Sequence, residues 1–82
     1  MNASDHMTPC RYIREHVFGV PTQTEFGKML GYTQATISRF ETGCARFSLE
    51  AMGKIRKLAD DRGIDLDHRW FFEVPETERR AA

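Results

Sequence analysis

Between Thr8 and Pro75 the chain is cut by helix start and stop signals so closely spaced that only short helices fit between them. Thr8-Pro9 reads as an N-cap with proline at the first helical position, where a missing N–H costs nothing. Cys10, Ile13, Val17 and Phe18 then recur at helical spacing until Gly19-Val20-Pro21 ends the element. Thr22 and Glu25 have the spacing of a capping box, the threonine hydroxyl taking the amide three residues on and the glutamate reaching back. The helix they open runs from Gln23 to Leu30, buries Phe26, Met29 and Leu30, and is closed by Gly31. Thr33 caps a third helix, Gln34 to about Glu41, with Ile37 and Phe40 inward and Thr42-Gly43 at its end. Ser48 caps a fourth, in which Leu49, Met52, Ile55, Leu58 and Ala59 keep the period up to Arg62-Gly63. Asp65 is expected to cap a last helix, Leu66 to about Phe72, stopped by Pro75. No stretch sustains period-two alternation, so the expected fold is all-α, five short helices in one compact unit.

Composition narrows the class. With 82 residues there is room for one domain, expected over residues 8–75, and a core this thin favours oligomerisation. Hydrophobic residues make up 40% and the net charge is zero, which excludes a disordered tail or a basic chromatin-type arm. No apolar run nears the roughly 18–20 residues of a membrane span, and residues 1–7 lack the pattern of a secretory signal, so a cytoplasmic protein is expected. His6-Met7 resembles a cloning junction; residues 1–7 read as a disordered leader or tag remnant and residues 76–82 as a flexible polar tail. Cys10 and Cys44 cannot build a disulfide framework and lack zinc spacing, while His6, His16 and His68 are scattered. No metal or cofactor is expected. Neither a Ser/His/Asp set, nor paired carboxylates, nor a phosphate loop stands out, so an enzyme is not expected either.

The informative segment runs from Thr22 to Glu41: two helices of about two turns joined by a short glycine-containing link, the pattern of a helix-turn-helix unit. Gly27 lies mid-helix, where glycine costs about 1 kcal/mol relative to alanine, and the expected reason is that the third helix crosses the second there. Ile37 fills the angle between the two, and Phe26, Leu30, Tyr32 and Phe40 pack the pair on its neighbours.

At these residues the sequence resembles the Cro-like and lambda-type repressor family. The resemblance runs from about residue 8 to residue 72 and is densest from Thr22 to Gly43: threonine-glutamine opening both helices, the turn glycine, Ile37-Ser38-Arg39 and the Phe40-Glu41-x-Gly43 ending. Ser48-Leu49-Glu50 and Gly63-Ile64-Asp65-Leu66-Asp67 match the later helices. Two positions depart from the pattern. Gly27 stands where the family usually has alanine. The family also often pairs the glutamate ending its third helix with an arginine in the first; counting back from Gln23, that place holds His16, and the nearest arginine is Arg14, so the partner of Glu41 is open.

The resemblance implies that the helix from Gln34 lies in the major groove of double-stranded DNA. There Gln34 would bond adenine, Ala35 would meet a thymine methyl, Arg39 would reach guanine, and Ser38 is a weaker base contact. Gln23 would touch a phosphate while bracing Gln34, and Thr33, Thr36, Thr42, Gly43 and Arg46 would supply further phosphate contacts. Outside such a motif, these polar residues would be caps and solvated surface.

Charge bears on this reading. Residues 8 to 47 carry Arg11, Arg14, Lys28, Arg39 and Arg46 against Glu15, Glu25 and Glu41, a small positive bias in a neutral chain. Weak binding by one subunit points to a homodimer, with recognition helices about 34–36 Å apart on a palindromic operator. Its expected contact is the apolar run Trp70, Phe71, Phe72 and Val74. The expected function is therefore a transcription regulator that represses by occluding a promoter, either a phage-type repressor or a restriction–modification controller. The alternatives are an antitoxin-type or adaptor protein that binds a small protein partner through the same aromatic surface.

Overall fold

The computed structural model describes residues 7–43 and 45–75. Residues 1–6 of the expected leader, Cys44 and the expected tail lie outside them. Four hydroxyl caps form where the sequence puts them. Thr8 Oγ1 accepts from the Arg11 amide at 3.4 Å, Thr22 from Glu25 at 3.2 Å, Thr33 from Thr36 at 3.2 Å, and Ser48 Oγ from Ala51 at 3.0 Å. They open α1 (Pro9–Tyr12), α2 (Gln23–Leu30), α3 (Gln34–Thr42) and α4 (Leu49–Asp61). Each cap satisfies an amide that the helix cannot, worth about 1 kcal/mol. The described residues are all helical or irregular, with no strand among them.

Two expected helices take other forms. The first stays α-helical for one turn only and then widens into a π segment over Ile13–Val17, with the Phe18 amide donating five residues back to Ile13 at 3.0 Å. The Val20 amide closes the segment on the Arg14 carbonyl at 2.9 Å. Where a fifth α-helix was expected there is a single 3₁₀ turn, His68–Phe71, so the α-helices number four among the described residues. Its cap is Asp67, not Asp65: the Asp67 carboxylate accepts from the Arg69 amide at 2.9 Å and also holds the Arg69 guanidinium at 2.9 Å. From that cap the Trp70 amide donates three residues back to the Asp67 carbonyl and the Phe72 amide to the Arg69 carbonyl, each at 3.0 Å, the spacing of a 3₁₀ turn.

Cys10, Ile13, Val20, Phe26, Leu30, Ile37, Ile55 and Phe71 form the core. Each large apolar side chain among them contributes about 1.5–3 kcal/mol by leaving water. Leu49 departs from the expected inward stripe: at the first position of α4 it is 85% exposed. An aromatic series links the α2–α3 turn to the His68–Phe71 turn, with ring centroids 6.2 Å apart for Tyr32–Phe40, 5.2 Å for Phe40–Phe47 and 5.6 Å for Phe47–Phe71. Phe40 is half-buried on this series rather than wholly inside.

α2 ends on Gly31, whose φ of +81° places it in the left-handed region. Its turn folds Tyr32 back so that the Tyr32 amide donates to the Gly27 carbonyl at 2.7 Å. Here the reason for Gly27 differs from the expected one. A Cβ at Gly27 would stand 2.5 Å from the Tyr32 carbonyl oxygen, with Ile37 of α3 further off at 3.4 Å. The turn itself, more than the crossing of α3, excludes a side chain.

Candidate nucleic-acid interface

Helical periodicity sorts α3 into two faces. Ile37 and Glu41, four residues apart, are buried, while Gln34, Ala35, Arg39 and Thr42 are exposed and Ser38 is half-buried beside them. The four expected base-reading residues therefore share one side of one helix, beginning at its first turn. Thr33 and Thr36 lie at the capped end, their hydroxyls 3.1 Å apart. At the other end the Arg39 carbonyl accepts from the Thr42 hydroxyl at 3.4 Å and from the Ala45 amide at 3.2 Å, and Gly43, with φ +83°, closes the helix. Arg46 follows, exposed.

Beneath this face lies a buried ion pair. Arg14 Nε donates to Glu41 Oε2 at 2.5 Å and Arg14 Nη2 to Glu41 Oε1 at 3.1 Å, a bidentate fork with both side chains under a tenth exposed. Arg14 Nη1 donates to the Val20 carbonyl at 3.0 Å, so the same guanidinium also ties down the strand of chain leaving the π segment. The hydrogen bonds that Arg14 donates to Glu41 raise the Arg14 pKa above its ordinary value against the opposing effect of burial. This settles the open partner of Glu41: it is Arg14.

From the pair a chain of hydrogen bonds runs to the surface. Gln23 Nε2 donates to Glu41 Oε1 at 3.1 Å, and Gln34 Nε2 donates to Gln23 Oε1 at 2.6 Å. Gln23 and Gln34 each hold the first position of a capped helix, so two caps and one ion pair fix the exposed Gln34 amide. Electrostatically, the pairing neutralises Glu41 beneath α3 and leaves Arg39 as the charge on its outer face. The Gln23–Gln34 brace is the one the resemblance implied, and Arg14 is the nearest arginine it offered; what the sequence did not show is that Gln23 also donates to Glu41 and so joins the two.

The expected dimer residues separate. Phe71, the last residue of the 3₁₀ turn, and Val74 beyond it are buried in the chain's own core, at 4% and 5% exposure. Both belong to the core and not, as expected, to a contact surface. Trp70 is half-buried with its ring edge-on to Tyr12, and Phe72 is 64% exposed. Phe72 borders a groove of about 470 Å³ lined with Thr8, Phe40, Arg46, Phe47 and Phe71. Cys10, at the floor of that groove, is 1% exposed, and burial, reinforced by the charge of Glu41, pushes its thiol pKa far up, so it stays a neutral packing group.

Among the described residues no three His, Cys, Asp or Glu side chains gather as a metal site, and no helix is long and apolar enough to cross a membrane. Comparison with protein-family models, characterised proteins and solved structures yields no match to this chain.

Proposed function

We propose that the chain is a sequence-specific double-stranded-DNA-binding transcription regulator, a homodimer that occupies a palindromic operator and represses by blocking a promoter. In this reading α2 and α3 act as a helix-turn-helix of the lambda-repressor type, with α3 in the major groove. The observation that carries it is the amide of Gln34: exposed, at the start of a capped helix, and held by Gln23 instead of being left to solvent. An exposed glutamine gains nothing in stability from such bracing that matches the side-chain entropy it gives up, whereas a reader of base edges gains orientation. Arg39 would read guanine from the next turn. Ala35 and Ser38 would sit against base edges between them, and Gln23, Thr33, Thr36, Thr42, Gly43 and Arg46 would meet phosphates. Neutral net charge implies a shallow salt slope for each subunit and a need for two.

Selection from random duplex DNA tests this, with Gln34→Ala and Arg39→Ala alongside the unchanged protein. The expected result is a palindromic motif in which each substitution costs about 1–3 kcal/mol and relaxes one symmetric pair of positions. Absence of any motif, or binding indifferent to both substitutions, refutes it.

A second reading has its own observation. The groove between Phe40, Phe47 and Phe72, with Phe72 largely exposed, suits a small protein partner as in an antitoxin or adaptor. Co-purification of one specific small protein that protects Phe72, with no DNA motif, would favour it.

A further inference from the structure

The relay from Arg14 to Gln34 has a direction, and that direction has a consequence for which base is read. An ionised carboxylate only accepts hydrogen bonds, and Glu41 takes three: two from Arg14 and one from Gln23 Nε2. Reversing the Gln23 amide would set its oxygen against a carboxylate oxygen. The Gln23 oxygen must therefore face α3, where the group opposite has to donate, and Gln34 Nε2 does so at 2.6 Å. Gln34 is left with its own Oε1 and one N–H, one acceptor and one donor. Adenine presents the complementary pair in the major groove, an N6 amino donor beside the N7 acceptor; guanine presents two acceptors, O6 and N7.

We infer that Glu41, which touches no surface, is a specificity-determining residue: through Gln23 it fixes the polarity of the Gln34 amide and so restricts that position of the site to adenine against guanine. The inference rests on the DNA-reading proposal above and adds to it a buried positioning residue. Arg14 holds the carboxylate in place, and the π segment sets Arg14 where it can do so. Were residue 41 an amide, the relay could run in either direction. In the reversed state Gln34 accepts from Gln23 and turns both of its N–H groups outward, a pattern that suits guanine.

The test compares base preference at the position lost in Gln34→Ala. The unchanged protein is expected to prefer adenine over guanine there by about 5- to 150-fold, the range for one good bidentate contact. Glu41→Gln is expected to reduce that ratio about tenfold or more by admitting guanine, with the preference at the Arg39 position unchanged. Gln23→Met interrupts the relay without removing the ion pair and is expected to relax the same position, so it carries the test should Glu41→Gln fail to fold, as judged by circular dichroism. A purely structural role for Glu41 predicts something else: weaker binding to every sequence with the adenine preference intact, and that result in both folded variants overturns the inference alone. If the unchanged protein selects no motif, or Gln34→Ala leaves the motif as it was, the DNA-reading proposal falls and this inference falls with it.

Discussion

Gly27→Ala and Gly53→Ala make the same chemical change inside two helices and are expected to move stability in opposite directions. Gly53 lies in α4, exposed, and a Cβ built there meets nothing within 4 Å. Replacing it removes only the conformational disadvantage of glycine, a gain of about 0.8–1.0 kcal/mol. Gly27 would collect the same gain, but its Cβ would lie 2.5 Å from the Tyr32 carbonyl oxygen and 3.3 Å from the carbonyl carbon. Those are backbone atoms, and they are pinned. The Tyr32 amide is bonded to the Gly27 carbonyl at 2.7 Å, Gly31 precedes it in the left-handed region, and the Thr33 cap of α3 follows directly. Overpacking against a fixed neighbour costs about 1–3 kcal/mol, which exceeds the propensity gain at its centre and leaves Gly27→Ala about 1 kcal/mol less stable. In a domain of this size each kcal/mol moves Tm by about 4–8 °C, so the two variants should straddle the parent protein. Urea unfolding followed by the fluorescence of Trp70, the one tryptophan, and by helical circular dichroism gives both free energies. If Gly27→Ala proves as stabilising as Gly53→Ala, the turn yields freely and the argument for glycine at position 27 is wrong.

Other outcomes follow from the ion pair, the thiol and the aromatic end of the chain. Arg14→Met or Glu41→Leu alone should each cost about 3–5 kcal/mol, because the remaining charge is left buried, while the double variant should cost far less than their sum. A double-mutant cycle by urea unfolding measures the difference, and strict additivity would show the two charges to be independent. Burial raises the Cys10 thiol above its ordinary value of 9.0, so the unfolded chain releases that proton first and folded stability declines as pH rises past 9. Relative to Cys10→Ala, the parent should lose up to about 1.4 kcal/mol per pH unit there, and parallel pH curves for the two would contradict the burial argument. Phe71→Ala should cost about 3–5 kcal/mol of stability. Phe72→Ser should leave monomer stability within about 0.5 kcal/mol yet weaken self-association about tenfold or more by ultracentrifugation; an unchanged dimer removes Phe72 from the contact.

What was legible in the sequence was local. A threonine cap needs only its own hydroxyl and an amide three residues on, so Thr8, Thr22, Thr33 and Ser48 could be read directly, and with them the starts of all four α-helices. The exposed stripe of α3 followed from the same start point and a period of 3.6 residues. The last turn was misread where two local signals competed. Asp65 and Asp67 are both competent caps, and what separates them is that the Asp67 carboxylate also holds the Arg69 side chain, which draws its pKa below the usual aspartate value. With the turn starting two residues later, and with Phe71 and Val74 buried, the expected contact surface shrinks to Phe72 and part of Trp70.

The candidate site divides along the same line. Gln34, Ala35, Ser38 and Arg39 could be named through the family resemblance, and that they share one face depends on α3 alone. Of the groups behind Gln34 the resemblance supplied only Gln23; its junction with Glu41 and Arg14 is tertiary, with Arg14 to Glu41 spanning 27 positions and Gln23 to Glu41 spanning 18. A π segment has no cap or breaker to announce it. Here it carries Arg14, whose side chain bonds both Glu41 and the Val20 carbonyl. The irregularity in the first helix and the orientation of an amide on the third are therefore linked through one buried ion pair. A variant that restores regular α-helix by removing a residue from Ile13–Val17 should for that reason lose Gln34 orientation as well as stability.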